Sequence, residues 1–130
     1  MLLVKTRLGQ SRIQGIGLFA DQDIKKGDPV WKFTNGFDLS KTEEELNQLS
    51  ESAKEQYRQY DYFNPRSKKH VLCFDNARFV NHSAAPNLVS THSYDDEKDI
   101  VIAARKIVKG EELTMDYRKY DGSYIEKMQK

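Results

Sequence analysis

The chain has 130 residues, a length that suits one domain around one core. Hydrophobic residues make up 38% and charged residues 32%, and seven Tyr, six Phe and one Trp exclude a disordered chain. Because 21 Lys and Arg are balanced by 20 Asp and Glu, the composition gives no basic footprint, and we expect no direct contact with nucleic acid. No apolar run approaches membrane-spanning length and no secretory segment precedes Lys5, so we expect an intracellular protein without a membrane partner.

The sequence also argues against a metal site. Cys73 is the single cysteine, which excludes an internal disulfide, fits a reducing compartment and cannot build a zinc site alone. His70, His82 and His92 lack the four-residue spacing that places two ligands on one helix face. We therefore predict that no metal ion is bound.

The N-terminal third is predicted to consist of short strands separated by glycine turns. The first strand is placed at 2–6. Gly15 and Gly17 permit a tight turn before an apolar strand that ends at Ala20. A turn at 25–28 then leads into a strand at 29–33.

One helix is predicted after these strands. Two capping boxes fit its start, Ser40 with Glu43 and Thr42 with Glu45. An apolar and aromatic stripe follows at helical spacing and predicts a helix that ends near residue 60. The stripe consists of Leu46, Leu49, Ala53, Tyr57 and Tyr60. Core packing accounts for the first three, whereas the role of the tyrosines stays open.

The rest of the chain is predicted to return to strands. They are placed at 70–74, 88–94, 100–104 and 112–117, with a charged hairpin turn at 95–98. After these strands the chain becomes polar, and its end is predicted to fray.

A short sequence pattern occurs twice in the chain, once in each half. The pattern that runs from Ala20 through Ile24 and Gly27 to Val30 recurs at 103–113. In both copies an aliphatic residue precedes a Lys-Gly-acid turn and a new strand. The copies are too short and too far apart for a solenoid, so they predict two similar β-corners in one compact, mostly β domain.

Two further segments concentrate polar groups. Residues 78–87 are Arg-Phe-Val-Asn-His-Ser-Ala-Ala-Pro-Asn, and residues 110–117 are Gly-Glu-Glu-Leu-Thr-Met-Asp-Tyr. Taken singly, a hydrogen-bonded turn explains the first and an edge strand explains the second. Gly15 and Gly17 alone indicate only a turn, because the third glycine of a dinucleotide-binding fingerprint is missing.

Taken together, the three segments resemble the SET domain family of protein-lysine methyltransferases in order, spacing and residue type. Residues 15–20 are similar to the family's Gly-x-Gly-aliphatic-Phe-Ala turn. Residues 78–87 and 110–117 are similar to its Arg-Phe-aliphatic-Asn-His-Ser-x-x-Pro-Asn and Gly-Glu-Glu-Leu-Thr-x-Asp-Tyr motifs. The resemblance extends over about residues 4–120 and is most specific in the last two motifs.

The resemblance implies a mainly β SET-domain (β-clip) fold of short strands. A single domain would comprise a β part at 1–38, a helical insert of one helix at 39–62, a second β part at 63–120 and a polar tail at 121–130. The second β part would carry the cofactor and catalytic motifs, and its C-terminal segment would tuck in a knot-like manner beneath the Asn-His loop.

The resemblance also implies where ligands bind. S-adenosylmethionine would be held by Gln14, Ile16, Gly17, Arg78, Phe79, Asn81 and His82. Tyr117 would be the catalytic residue beside the sulfonium and the target amine. The channel for the substrate lysine would be lined by Tyr60, Tyr62, Met115, Tyr117 and Tyr120, with Tyr60 or Tyr62 as a wall. His82 would contact adenine and support the loop, and we do not expect it to act as a general base.

Three departures from the family pattern qualify these implications. Ala84 stands where a cysteine is frequent, and the cysteine-rich flanks that bind zinc in many members are missing. Instead of a zinc-braced flap, Tyr120 or Tyr124 could close the channel. Met115 stands where Phe or Tyr is usual, so the number of methyl groups added is not implied.

The expected function is therefore S-adenosylmethionine-dependent methylation of a lysine side chain in a protein substrate, with S-adenosylhomocysteine as product. The substrate could be a histone or another basic protein. The enzyme would be nuclear if it acts on host or viral chromatin and cytoplasmic if it is bacterial. The alternative is a non-catalytic SET-like interaction module, which the presence of Asn81, His82 and Tyr117 disfavours. A homodimer is an arrangement that the sequence leaves open.

Overall fold

The computed structural model describes residues 1–91 and 95–120, and strands dominate this part of the chain. The strands are β1 (Thr6–Gln10), β2 (Ile16–Ala20), β3 (Pro29–Lys32), β4 (Leu39–Lys41), β5 (Tyr62–Asn64), β6 (Lys69–Leu72), β7 (Asn81–His82), β8 (Leu88–Ser90), β9 (Ile100–Ala103) and β10 (Thr114–Met115). The helices are α1 (Glu43–Asn47), α2 (Glu51–Tyr60) and α3 (Tyr117–Tyr120), and 3-10 turns span Asn76–Phe79 and Asp96–Lys98. The mainly β class predicted from the sequence is confirmed.

The described strands form several small sheets around one core. β1 pairs with β2, β9 lies between β3 and β8, and β6 lies between β4 and β5, all in antiparallel register. β10 instead runs parallel to β7. The fully buried aliphatic side chains come from both halves of the chain and include Leu18, Ile24, Val71, Ile107 and Leu113. One shared core of this kind fits a single domain.

The two copies of the repeated sequence pattern contact each other and form equivalent β-corners. The Gly27 N–H donates to the Ala103 carbonyl, and the Gly110 N–H donates to the Ala20 carbonyl, both at 2.8 Å. The φ angles of the two glycines are 88° and 99°. The aliphatic residues of the two copies also exchange backbone hydrogen bonds. The repeated sequence pattern therefore corresponds to two β-corners in a pseudo-two-fold arrangement.

The single helix predicted after β4 is two helices in the structure. Thr42 Oγ1 accepts from the Glu45 N–H, and the Glu45 carboxylate accepts from the Thr42 N–H, so the second of the two candidate capping boxes starts α1. Ser50 Oγ accepts from the Ala53 N–H at 3.1 Å and starts α2. Because a serine hydroxyl satisfies one of the N–H groups that a helix start leaves unpaired, Ser50 restarts the helix and does not continue the first one.

This break changes which residues of the predicted stripe reach the core. Leu46 is 0% exposed and Tyr57 is 5% exposed, as core packing requires. Ala53 lies in the first turn of α2 and is exposed, so its predicted place in the core is wrong, and Leu49, between the two helices, is only half-buried. Ser40, the other candidate cap, lies in β4 and donates to the Asp96 carboxylate at 2.7 Å.

The strand predicted at 2–6 is displaced. The first strand begins at Thr6, and within the predicted segment Leu2 forms only an isolated bridge with Trp31. Leu2 and Val4 pack against the core. Their apolar character therefore reflects burial against the core, not membership of the hairpin with β2.

The strand predicted at 112–117 is shorter in the structure, where it spans Thr114–Met115, and Tyr117 begins a helix and does not end a strand. The Asp116 carboxylate accepts from the Arg118 N–H at 3.1 Å, and the Asp116 carbonyl accepts from the Lys119 N–H at 3.0 Å. Both bonds turn the backbone into α3, since an aspartate at a helix start satisfies N–H groups without an intrahelical partner.

The parallel pair of β7 and β10 brings the last two sequence motifs together. The Ser83 N–H donates to the Met115 carbonyl at 2.9 Å, and Thr114 exchanges hydrogen bonds with Asn87. The C-terminal segment thus lies against the Asn-His loop, as the resemblance implies.

Some predictions fall on residues that the structure does not describe. They concern the end of the strand placed at 88–94, together with His92, and the tail at 121–130, together with Tyr124. Within residues 1–91 and 95–120, no helix is long and apolar enough to cross a membrane.

Candidate functional site

The hairpin loop between β1 and β2 lies against Asn81 at the start of β7. The Asn81 side-chain amide donates to the carbonyl of Gln14 at 3.2 Å and to that of Ile16 at 3.3 Å. The loop itself is closed by a 2.7 Å bond from the Ser11 N–H to the carbonyl of Gly15, which has a φ of 49°. The structure thus brings residues from the first two motifs together through backbone carbonyls.

The third motif reaches the same place through Glu112, which sequence reasoning had not singled out. Its carboxylate accepts from Ser11 Oγ at 2.8 and 2.9 Å and from the Asn81 amide at 3.0 Å. A Cβ atom placed on Gly17 would lie only 2.5 Å from this carboxylate. The φ of Gly17 is not positive, so a side chain at this position would conflict with the Glu112 carboxylate and would have to displace it.

His82 and Tyr117 are held together where β7 meets α3. The Tyr117 N–H donates to His82 Nδ1 at 3.0 Å, which assigns the proton of the neutral ring to Nε2. The two ring centroids lie 5.4 Å apart. The Tyr117 hydroxyl donates to the Val80 carbonyl at 2.7 Å. Backbone and side chain of the predicted catalytic tyrosine are thus both anchored to the Asn-His segment.

The adjacent Asp116 secures the start of α3. Its carboxylate accepts two hydrogen bonds from the Arg118 guanidinium, at 2.7 and 2.9 Å. These bonds hold the pKa of Asp116 at about 2, below its usual value of 3.8, although burial acts in the opposite direction. The carboxylate is therefore ionised at neutral pH and keeps the connection between β10 and α3 in place.

Arg78 and Phe79, both predicted to bind the cofactor, form a stack with Tyr60. The Arg78 guanidinium carbon lies 5.5 Å from the Tyr60 ring centroid and 5.3 Å from that of Phe79. The two aromatic rings meet edge to face at 5.4 Å. This stack joins the end of α2 to the 3-10 turn that precedes β7.

A narrow cavity of about 70 Å³ adjoins this stack. Four of the five predicted channel residues line it, namely Tyr60, Tyr62, Met115 and Tyr117. Tyr60 is 39% exposed and Met115 is 7% exposed, so the cavity runs from the surface into the core. Both candidate wall tyrosines border it, and the side chain of Tyr120 lies outside the described residues.

The inner wall of the cavity is poorly accessible to water. Burial raises the pKa of Tyr62 well above its usual value of 10, and the neighbouring Cys73 and Asp99 raise this pKa further. Trp31 lines the same cavity, and its indole N–H has no hydrogen-bond partner among the described residues. A positive charge that enters this cavity would therefore lose part of its hydration, although the Asp61 carboxylate also lines the cavity.

Sequence reasoning missed three residues that border the site. Nothing in the sequence around Ser11 indicates its role in the site, because this role depends on a contact with a residue 101 positions away. Glu112 lies inside a motif that we had identified, but its spacing there indicates only the start of a strand. Trp31 gave an ordinary apolar strand signal, and nothing in the sequence indicates its contact with the cavity.

A sequence profile of the SET domain matches residues 15–118. The chain belongs to the SET domain family. Human histone-lysine N-methyltransferase 2D is 34% identical over 113 residues, which is 85% of this chain and 2% of that protein. The H3 lysine-4 specific histone-lysine N-methyltransferase of Schizosaccharomyces pombe is 33% identical over 117 residues, which is 85% of this chain and 12% of that enzyme. The chain thus spans only a small part of the length of these relatives.

Solved structures show the same SET fold. A candidate histone methyltransferase of Plasmodium falciparum aligns with a TM-score of 0.62 at 24% identity, over 89% of this chain and 95% of that one. The Polycomb Repressive Complex 2 of Chaetomium thermophilum, in an autoinhibited conformation bound to S-adenosylmethionine, aligns with a TM-score of 0.64 at 21% identity. That alignment covers 97% of this chain and 16% of the other.

Proposed function

We propose that the protein is a protein-lysine N-methyltransferase that uses S-adenosylmethionine. The observation that carries this proposal is the convergence of all three motifs at one site. The Asn81 amide, the Gln14 and Ile16 carbonyls and the Glu112 carboxylate meet at one point. Val80 and Leu113, the sequence neighbours of Asn81 and Glu112, line the cavity together with Tyr60, Tyr62, Met115 and Tyr117. Membership of the SET domain family and the names of the relatives support the same activity.

The residues at the site suit this cofactor, which carries an ammonium group, a carboxylate and an adenine ring. The carbonyls of Gln14 and Ile16 are hydrogen-bond acceptors that match an ammonium group. Arg78 offers a guanidinium for a carboxylate, and Phe79 offers an aromatic face. Gly17 has no Cβ, so its backbone can lie close to a bound ligand.

The tyrosines of the cavity would prepare the lysine for reaction. When bound, S-adenosylmethionine supplies the methyl group from its sulfonium. An ordinary lysine has a pKa of about 10.4, so neutralising its amine at pH 7 costs about 4–5 kcal/mol. The desolvated lining formed by Tyr60, Tyr62 and Met115 lowers the pKa of an enclosed amine, and water can accept the proton. Tyr117 would orient the amine for in-line attack.

The substrate is proposed from the relatives, which are named for histone lysine. A histone tail is the first candidate, and another basic protein is the second. For a chromatin substrate the enzyme would work in the nucleus. The mono-, di- or trimethylated product is not assigned, because Met115 replaces the aromatic residue that is usual in the family.

Incubation with methyl-labelled S-adenosylmethionine and a mixed extract that contains histones tests the proposal. Mass spectrometry should find label on lysine side chains. Asn81→Ala should weaken cofactor binding in titration calorimetry and abolish labelling, whereas Asn35→Ala, at an exposed asparagine that does not line the cavity, should change neither. If the wild-type protein binds no cofactor and labels no lysine, the chain is a non-catalytic SET-like module and the proposal is wrong.

A further inference from the structure

We propose that Glu112 is a positioning residue that sets the conformation of the cofactor-binding hairpin loop and thereby the affinity for S-adenosylmethionine. This inference rests on the proposed function, because the loop matters only if it binds that cofactor. The carboxylate of Glu112 would not contact the reacting atoms. It would act through Ser11, which orders the loop, and through Asn81, which binds the carbonyls of that loop.

The contact with Ser11 organises the loop from inside. Ser11 Oγ accepts from the Ile13 N–H at 2.9 Å and from the Gln14 N–H at 3.3 Å. A serine oxygen has two lone pairs, and both are used by these donors. Its hydroxyl proton is therefore available to donate, and the Glu112 carboxylate accepts it.

The contact with Asn81 fixes the loop from outside. The same side-chain amide nitrogen of Asn81 lies within hydrogen-bond distance of Gln14, Ile16 and Glu112. The Glu112 carboxylate therefore restrains the rotation of the Asn81 amide toward the two loop carbonyls. The lack of a Cβ on Gly17 leaves the space that the carboxylate occupies.

The main chain around Glu112 is held by other bonds. The Asn87 side-chain amide donates to the Glu112 carbonyl at 2.8 Å, and the Leu113 N–H donates to the Leu18 carbonyl at 2.8 Å. Neither bond uses the carboxylate. Loss of the side-chain charge should therefore leave the strand in place and affect the loop.

Glu112→Gln is the most informative substitution at this position, because glutamine keeps the side-chain volume of glutamate. An amide presents one acceptor and one donor where the carboxylate presents two acceptors. If the amide oxygen takes the position of Oε2, which accepts from both Asn81 and Ser11 Oγ, the NH₂ takes the position of Oε1, 2.8 Å from Ser11 Oγ, whose lone pairs are already occupied. If the amide is reversed, two NH₂ groups face each other. Either orientation leaves a polar group without a suitable partner.

The test measures the dissociation constant for S-adenosylmethionine by calorimetry, and amide hydrogen exchange at residues 13 and 14 in cofactor-free protein by NMR. Glu112→Gln should raise the dissociation constant at least about tenfold, a loss of about 1.4 kcal/mol, and speed exchange at both amides. Ser11→Ala should do the same, and the double variant should be little worse than either single variant, because both break one network. The matched control is Glu111→Gln, since Glu111 pairs with Arg105 at 2.9 Å and not with the loop.

The two proposals fail separately. If wild-type protein binds S-adenosylmethionine and Glu112→Gln binds it equally well with unchanged exchange at residues 13 and 14, the positioning role is wrong and the proposed function stands. If wild-type protein does not bind the cofactor, the proposed function is wrong, and this inference fails with it. A uniform rise in exchange across the core strands would show that Glu112 supports the whole fold, which would also contradict the proposal.

Discussion

The hydroxyl of Tyr117 donates to the Val80 carbonyl, and this contact determines how the residue can act. Because its proton points to Val80, the phenolic oxygen presents its lone pairs as acceptors. An amine N–H is the kind of donor that such an oxygen can orient. The N–H of Tyr117 is fixed on His82 Nδ1, so the ring position does not depend on substrate. His82 thus serves as a support for Tyr117 with an assigned tautomer.

Tyr117→Phe should lower the rate of methylation while the fold and the cofactor site persist. The change keeps the ring and removes the hydroxyl. A buried hydroxyl that acts in the transition state contributes about 1–3 kcal/mol, which corresponds to a rate loss of roughly ten- to a hundredfold or more. The dissociation constant for the cofactor should change much less than the rate. Single-turnover kinetics on a verified substrate, with calorimetry for cofactor binding, measures both. Methylation at the wild-type rate would remove Tyr117 from the catalytic role.

At the scale of elements, helix α2 matters because its end carries a cavity tyrosine. The Tyr57 hydroxyl donates to the His70 carbonyl in β6 at 2.6 Å. Asp61, which caps the C-terminus of α2, lies 2.9 Å from His70 Nδ1 through its carboxylate. Tyr60 and Tyr62 flank Asp61 in sequence, so both cavity tyrosines are positioned by the attachment of α2 to β6.

Tyr57→Phe should weaken this attachment by about 1 kcal/mol of unfolding free energy at pH 7, because one hydrogen bond is lost. Burial raises the pKa of Tyr57 above its usual value of 10. The unfolded chain therefore ionises this phenol first, and the wild-type protein loses stability as the pH rises above 10. The variant has no such loss from position 57, so the difference between the two should shrink between pH 10 and pH 11. Urea unfolding at pH 7, 9, 10 and 11 measures it, with Tyr60→Phe as an exposed control. A constant difference would contradict the assignment.

At the scale of the whole molecule, the features that could be predicted from the sequence are those that depend on a local pattern of residues. The mainly β class, the paired corners and the three motifs could be identified because each is encoded in a few adjacent residues. The break between α1 and α2 was not predicted, because a serine at position 50 is compatible with the interior of one continuous helix as well as with the N-cap of a second helix. The strand at 2–6 was misplaced, because the burial of Leu2 against Trp31 and strand pairing produce the same apolar signal.

The parts of the site that escaped prediction depend on distant contacts. Glu112 meets Ser11 and Asn81 only after the hairpin, the Asn-His loop and β10 have come together. Trp31 borders the cavity because it belongs to the core cluster against which Tyr62 packs. No spacing rule connects these positions, since their separations are set by the fold and not by the period of any one element.

The two paired β-corners should respond equally to substitution, because they are related by a pseudo-two-fold arrangement. Gly27 and Gly110 have positive φ angles of 88° and 99°, and a Cβ atom at either would meet nothing within 4 Å. Alanine should therefore cost only backbone strain, about 1–2 kcal/mol at each site. Because the two glycines make equivalent hydrogen bonds to Ala103 and Ala20, the two variants should lose the same unfolding free energy to within about 0.5 kcal/mol. Denaturant unfolding of both variants measures this, and Lys26→Ala, an exposed neighbour, should stay within about 0.5 kcal/mol of wild type. If one glycine tolerates alanine and the other does not, the corners are not equivalent in energy, and the symmetry of their hydrogen bonds is only geometric.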